Sequence, residues 1–294
     1  MSGDHTYVVR CRQGCFVVKH WVSEDAEYAE KIAALQESLR LDGAPVPAHR
    51  RSFDGRFVEH RMTVQAFLPG HPPSTSVADQ ADAFGAALGR LDRSLEVCPV
   101  DPFFVDQSSV FSRCKDIDRV ANRYLPACDG RFPTGYREQL VATIHELKTR
   151  LKPIANESCV LAHVDANPEN VIVDDAGHVS LIDLTPEARH PGYSLGAALY
   201  WWAYPWRFNR LSLEILQAIT RAYLRSQPLS PRRRRAIAAH MLNHSLMELA
   251  FPLGCLVDGP PPGARPLEDL KGRMRRADLL FAALDQIERA VMES

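Results

Sequence analysis

The stretch His163-Val-Asp-Ala-Asn-Pro-Glu-Asn170, continued by Val171-Ile-Val-Asp-Asp-Ala-Gly-His-Val-Ser-Leu-Ile-Asp183, decides how this 294-residue chain is read. It offers an Asp in a polar loop (Asp165), an Asn five residues on (Asn170), an apolar strand from Val171 to Val173, an Asp-Asp-Ala-Gly turn, and a second strand from Val179 to Ile182 that ends at Asp183. A hairpin turning at Asp174 to Gly177 brings its outer ends side by side, so Asn170 at the entry and Asp183 at the exit are expected close together. An amide oxygen and a carboxylate so placed suit a hard cation such as Mg2+, which takes oxygen ligands and keeps waters or phosphates in its remaining positions. Asp165, one loop away, is left to act on a proton. Asp174 and Asp175 read as turn residues. Asp165, Asn170 and Asp183 together exceed what a turn requires.

An Asp, an Asn five positions later and a further Asp are the layout of a kinase catalytic loop, in which the first Asp orients the hydroxyl being phosphorylated and the other two hold metal. The segment resembles the HGDxxxxN loop and following IDF/IDW motif of the aminoglycoside phosphotransferase, choline kinase and homoserine kinase superfamily. Three departures are visible: Val164 stands where that family has Gly, Asn167 where His is frequent, and Leu184 where Phe or Trp is common. None removes an oxygen ligand. The resemblance implies an α+β, two-lobe protein-kinase-like fold. Its small antiparallel β lobe, with one helix and a hinge, would cover residues 1–70; a mainly helical lobe, 71–294, would carry the catalytic loop 163–170 and Asp183. It also implies transfer of the ATP γ-phosphoryl group to a hydroxyl of a small molecule such as an amino alcohol, amino sugar, amino acid, nucleoside or antibiotic. Asp165 would be the catalytic residue, Asn170 and Asp183 the Mg2+ ligands.

Composition narrows the setting. The formal net charge is −1, which gives no global electrostatic reason to bind nucleic acid or a membrane surface. The seven cysteines are odd in number and form no C-x-x-C pair, so reduced thiols in a cytoplasmic protein are expected. No run of about 18 apolar residues reads as a membrane span.

Upstream, Tyr7 to Cys11 and Cys15 to Lys19 form short β-rich runs around Arg12-Gln13-Gly14, an antiparallel hairpin by pattern. Lys19 ends the Phe-Val-Val-Lys run and resembles the third-strand lysine that neutralises nucleotide phosphates. Only about six residues precede the hairpin, too few for a first strand and Gly-rich loop; the lobe is either reduced or begins upstream of Met1. Ser23 is placed to cap a helix to about Arg40 with Tyr28, Ile32, Leu35 and Leu39 on one stripe. The resemblance asks that helix for a Glu partner to Lys19, and Glu27 and Glu30 are the candidates although both lie off the stripe. Gly43-Ala-Pro-Val-Pro47 breaks the helix; Arg56 to His60 and Met62 to Phe67 read as strands. Thr63 to Gly70 resembles the family's hinge, with backbone near Gln65 to Phe67 expected to hold adenine.

Residues 77–97 and 134–151 carry apolar residues at helical spacing, and 102–133 is irregular. After Asp183, Tyr193-Ser-Leu-Gly stands where the family has a second D-L-A motif and lacks its Asp, so the loop-anchoring role of that residue is unfilled or filled otherwise. Glu187 and Arg189 face either the cleft or solvent. The aromatic run Tyr200 to Phe208 reads as core, and Arg232 to Arg235 as a solvated face or a partner contact. His240, His244 and Glu248 share one helix face at spacing that can bind zinc, though a pocket lining or simple exposure explains them more cheaply. The missing strand, unplaced Glu and lost Asp also support a different class of function, a catalytically silent kinase-like binding protein.

Overall fold

The computed structural model describes residues 5–21, 26–101, 104, 135–204, 210–259 and 265–294. The expectations for Ser23, for Trp206 and Phe208, and for 102–133 apart from Phe104 lie outside these residues. The amino-terminal part is a four-stranded antiparallel sheet ordered β1-β2-β4-β3, from His5–Cys11 (β1), Gly14–His20 (β2), His49–Arg50 (β3) and Met62–Ala66 (β4). The hairpin was legible because Gly14, at φ 137°, supplies a backbone geometry that L-residues avoid. β1 is the sheet edge, and it leaves Tyr7, Val8 and Val9 exposed.

Helix α1 (Ala26–Leu41) buries Tyr28, Ile32 and Leu39. The expected strand at Arg56 to His60 does not form. Instead, Glu30 on α1 accepts hydrogen bonds from the Phe57 and Val58 N–H groups at 2.7 to 3.0 Å. A carboxylate has taken the place of a neighbouring strand, and sequence pattern cannot see such a partner.

The remaining described chain is largely helical: α2 (Ala78–Val97), α3 (Tyr136–Leu151), α4 (Tyr193–Trp202), α5 (Leu213–Ser226), α6 (Pro231–Met247), α7 (Ala250–Asp258) and α8 (Pro266–Met292). α2 carries Ala81, Phe84, Leu88, Leu91 and Leu95 on its apolar stripe, all fully buried; each buried Leu contributes about 1.5–3 kcal/mol. Beside that stripe, Gly85 and Gly89 let α5 approach closely. A Cβ at Gly85 would sit 2.3 Å from the Ile219 carbonyl oxygen, and one at Gly89 2.7 Å from that of Tyr223. Gly196 on α4 serves α6 in the same way, its Cβ position lying 2.4 Å from the His240 Cβ.

Two short antiparallel pairs position the candidate site. β5 (Val160–His163) pairs with β8 (Pro186–Arg189), and β6 (Val171–Val173) pairs with β7 (Val179–Leu181). The β6–β7 pair ties to the preceding chain: Leu181 N–H donates to the Pro45 carbonyl at 2.7 Å, and His71 exchanges backbone hydrogen bonds with Val173. Gly70 permits that docking, since a Cβ there would lie 2.3 Å from the Val173 oxygen. Among the described residues no helix is long and apolar enough to cross a membrane.

Candidate active site

The β6–β7 register places Val171 opposite Leu181, and Ile182 N–H donates to the Asn170 carbonyl at 2.9 Å. Asn170 therefore sits across from Ile182, one residue before Asp183, as the hairpin argument requires. Asp174 makes the turn: its Oδ1 accepts the N–H groups of Ala176 and His178 at 2.9 and 2.8 Å.

Asp165 lies between β5 and a single turn of 3-10 helix, Pro168–Asn170. Its carboxylate is held on both oxygens, by Asn167 Nδ2 at 2.9 Å on Oδ1 and by Asn170 Nδ2 at 3.0 Å on Oδ2. Asn170 Nδ2 also donates to the Asp165 carbonyl at 2.9 Å. Because that amide nitrogen has two acceptors on one side, the Asn170 Oδ1 faces the other way, available to a cation. Asn167 does two jobs. Its Oδ1 caps the turn by accepting Glu169 and Asn170 N–H at 2.8 and 3.1 Å, while its Nδ2 orients Asp165. The Asn-Pro pair, an N-cap followed by Pro, was the available signal.

Asp183 adopts a left-handed backbone, φ 54°, a conformation Asp tolerates better than most residues but that still costs free energy. Its Oδ1 accepts Lys19 Nζ at 2.7 Å across 164 positions of sequence, and its side chain is half exposed. Lys19 Nζ also lies 4.0 Å from the Trp21 ring centroid. Lys19, Asp183, Asn170 and Asp165 are thus joined by direct contacts and one hairpin register.

The other expected residues are placed differently. Glu30 is committed to the backbone at Phe57 and Val58, so it is not the Lys19 partner. Glu27 forms an i,i+4 ion pair with Lys31 at 3.5 Å. Gln65 is paired on both sides, with Val17 and His49, and its side chain meets His49 Nε2 at 3.3 Å. The N–H groups of Ala66 and Phe67 donate to Ala48 and Cys15 carbonyls. The backbone donors from Gln65 to Phe67 are therefore spent within the sheet, and the chain runs on to Leu68 and Pro69. Those two residues line a hollow with Ile172, Asp174, His178 and Ser180, on the outward face of the β6–β7 hairpin.

Glu187 and Arg189 pair with each other at 2.6 Å, both half-buried. Arg232 and Arg233 are tied to Glu157, and Arg233 also to Glu96, so these two arginines have partners within the chain. Tyr200, Trp202 and Tyr204 are core residues, with Trp202 stacked on Phe84 at 4.1 Å. Among the described residues no group of three or more His, Cys, Asp or Glu is arranged to hold a metal. His240 is buried and its pKa is pushed down to about 3 by desolvation, while Glu248 is bonded to Arg273. Burial holds the Glu248 carboxyl above its ordinary value, against the pull of Arg273 and with a smaller push from the Asp165 charge. Glu248 is thus within electrostatic reach of Asp165, a proximity that sequence spacing did not reveal.

Against this geometry, the family model described as "APH: Phosphotransferase enzyme family" matches residues 2–237. The chain belongs to the APH family. Its fold is similar to solved structures at low identity. An aminoglycoside phosphotransferase from Alicyclobacillus acidocaldarius shares 13% identity at TM-score 0.69, covering 98% of this chain and 91% of that one. A microcompartment-associated aminopropanol kinase shares 16% at TM-score 0.69, covering 99% and 91%. Amicoumacin kinase hAmiN, solved with AMP-PNP, Ca2+ and Ami, shares 15% at TM-score 0.68, covering 95% and 86%. No curated protein matches the sequence. The kinase-like α+β fold read from the loop is the fold of this APH protein, and phosphotransfer is its class of activity.

Proposed function

We propose that this APH protein transfers the γ-phosphoryl group of ATP, with Mg2+, to a hydroxyl of a small molecule, in a cleft between lobes dividing at residue 70. The observation that carries the reading is the convergence of Asp165, Asn170, Asp183 and Lys19. The donor set fits a hard divalent cation: an amide oxygen turned away from Asp165, a half-exposed carboxylate, and no soft ligand. Asn170 and Asp183 would hold the ion, which when bound neutralises charge on the transferring phosphoryl group.

The chain's own residues do the remaining work. Asp165, fixed on both oxygens by Asn167 and Asn170, orients the acceptor hydroxyl and takes its proton. Lys19 supplies a positive charge to the nucleotide phosphates, exchanging its Asp183 contact for them. Leu68, Pro69 and Ile172 offer apolar surface and a hinge backbone to the base.

The test is ATP consumption against a panel of amino alcohols, amino sugars, amino acids and nucleosides, with thermal-shift titration of ATP alone and with Mg2+. Mg2+-dependent stabilisation by ATP and turnover on at least one alcohol are expected. Stabilisation without turnover on any acceptor would favour the silent binding protein.

A further inference from the structure

Trp21 stands beside the candidate site, and none of the roles above uses it. It follows β2 directly, two residues after Lys19, so both side chains leave the chain on the same face. Lys19 Nζ lies over the indole, 4.0 Å from the ring centroid. The buried ring is itself fixed from three directions. Its Nε1 donates to Thr63 Oγ1 at 3.1 Å, and Thr63 is fully buried and stands opposite Lys19 in the β2–β4 register. The Trp21 N–H donates to the Arg61 carbonyl at 2.9 Å, and Arg61 Nε returns a hydrogen bond to the Trp21 carbonyl at 2.9 Å. Tyr28 of α1 packs against the indole in a T-shaped pair, ring centroids 6.2 Å apart.

We infer that Trp21 is a positioning residue for Lys19: its indole face seats the ammonium beside Asp183, so that Lys19 keeps its place when it leaves that carboxylate for the nucleotide phosphates. What the seat serves rests on the phosphotransferase reading; that the ring holds the ammonium does not.

Lysine carries a compact charge on a flexible four-carbon stem, and an ion pair with a half-exposed carboxylate contributes little to ordering it. That pair is also the contact that metal binding at Asp183 would weaken. The indole face acts differently from a carboxylate in two respects. Its quadrupole attracts a cation more strongly than any other aromatic side chain does, and the attraction grows where water is excluded; the Lys19 side chain is only 17% exposed. It also holds the cation without neutralising it. Indole has no net charge, so the positive charge and the N–H donors of the ammonium remain for oxygen, that of Asp183 in the structure and those of phosphate in the complex. The seat is rigid because Thr63, on β4, and Arg61, on the chain entering β4, grip Trp21 from the neighbouring strand, while Tyr28 ties it to α1. Through Tyr28 and Trp21, the position of α1 is passed on to Lys19.

The experiment places mono-, di- and trifluorotryptophan at position 21 of the full chain, since fluorine withdraws charge from the ring face and leaves its shape almost unchanged. Mg-ATP affinity should fall with each added fluorine, by about threefold in the trifluoro form, while kcat stays within about twofold. Trp21→Phe keeps a weaker ring and should lose about threefold in affinity, against about tenfold for Trp21→Leu. A ring that only packs the core would leave the fluorinated series level, whatever the melting temperatures of the Phe and Leu variants. Without nucleotide, the Lys19 ε-methylene protons, assigned by their loss in Lys19→Arg, should resonate upfield of those of the other lysines in the ring current of Trp21, and should return in Trp21→Leu. A level fluorinated series, or Lys19 resonances at the ordinary lysine position in the wild type, overturns the inference. Upfield Lys19 resonances in a protein that binds no Mg-ATP would keep the seat and overturn the phosphotransferase reading.

Discussion

The front and back of the catalytic loop are built by opposite means. At the front, Asp165 is held by Asn167 and Asn170, two and five residues away, in partly exposed positions. At the back, His163 is held by Ser194, 31 residues on, and the Asp92 carboxylate takes the Tyr223 phenol 131 residues away, all in the core. Local polar contacts survive as sequence motifs because chain connectivity sets their geometry. The rear contacts exist only once α2, α4 and α5 have packed, so their geometry is a property of the core.

The largest effect expected from breaking the front is in Asp183→Asn, which removes a metal-binding charge and the Lys19 contact. Turnover should fall by about two to three orders of magnitude, with the Mg2+ requirement moved to higher concentration; an unchanged Mg2+ titration would count against the assignment. Gly85→Ala attacks the back without touching a polar group. Its Cβ would meet the Ile219 carbonyl at 2.3 Å, and forcing α2 from α5 should cost about 2–3 kcal/mol in urea unfolding. A smaller effect separates the two regions by pH. Burial lowers the His240 pKa to about 3, below its ordinary 6.5. The unfolded chain then binds a proton that the folded chain does not, so stability is complete above pH 6.5 and falls as pH drops toward 3. Asp92 works in the opposite sense, since a carboxyl raised from 3.8 to about 7 stabilises least above pH 7. His240→Gln should flatten the acid-side loss by about 1–2 kcal/mol between pH 7 and 5, read from denaturant midpoints. The smallest effect is Glu30→Gln, which weakens the bonds to Phe57 and Val58 by about 1 kcal/mol and leaves KM for ATP unchanged. A raised KM would restore Glu30 as the partner of Lys19.

The same contrast explains what sequence reading could reach. The hairpin, its turn at Asp174 and the meeting of Asn170 with Asp183 follow from strand pairing over 14 residues, and all are present. Glu30 was misread because its acceptor role serves a segment 27 residues away that carries strand-like residues without a strand partner. The N–H groups of Gln65 to Phe67 are committed because a central strand spends its backbone donors on both neighbours, which a single strand's pattern does not disclose. The Asp92–Tyr223 contact did leave a trace: Gly85, Gly89 and Asp92 fall on one side of α2, beside its apolar stripe, an arrangement that signals a buried carboxylate under a close helix contact. Ser194 carried no signal beyond the absence of the Asp expected at its position, because a serine is informative only when its partners are known.

The central claim is that Asp165 performs the transfer while Asn170, Asp183 and Lys19 hold the Mg-nucleotide, and the sharpest single measurement is Mg-ATP binding and turnover compared side by side in wild type and Asp165→Ala. Binding within a few-fold of wild type, with turnover reduced at least about a thousandfold, is the predicted result. Turnover at the wild-type rate in Asp165→Ala would contradict it.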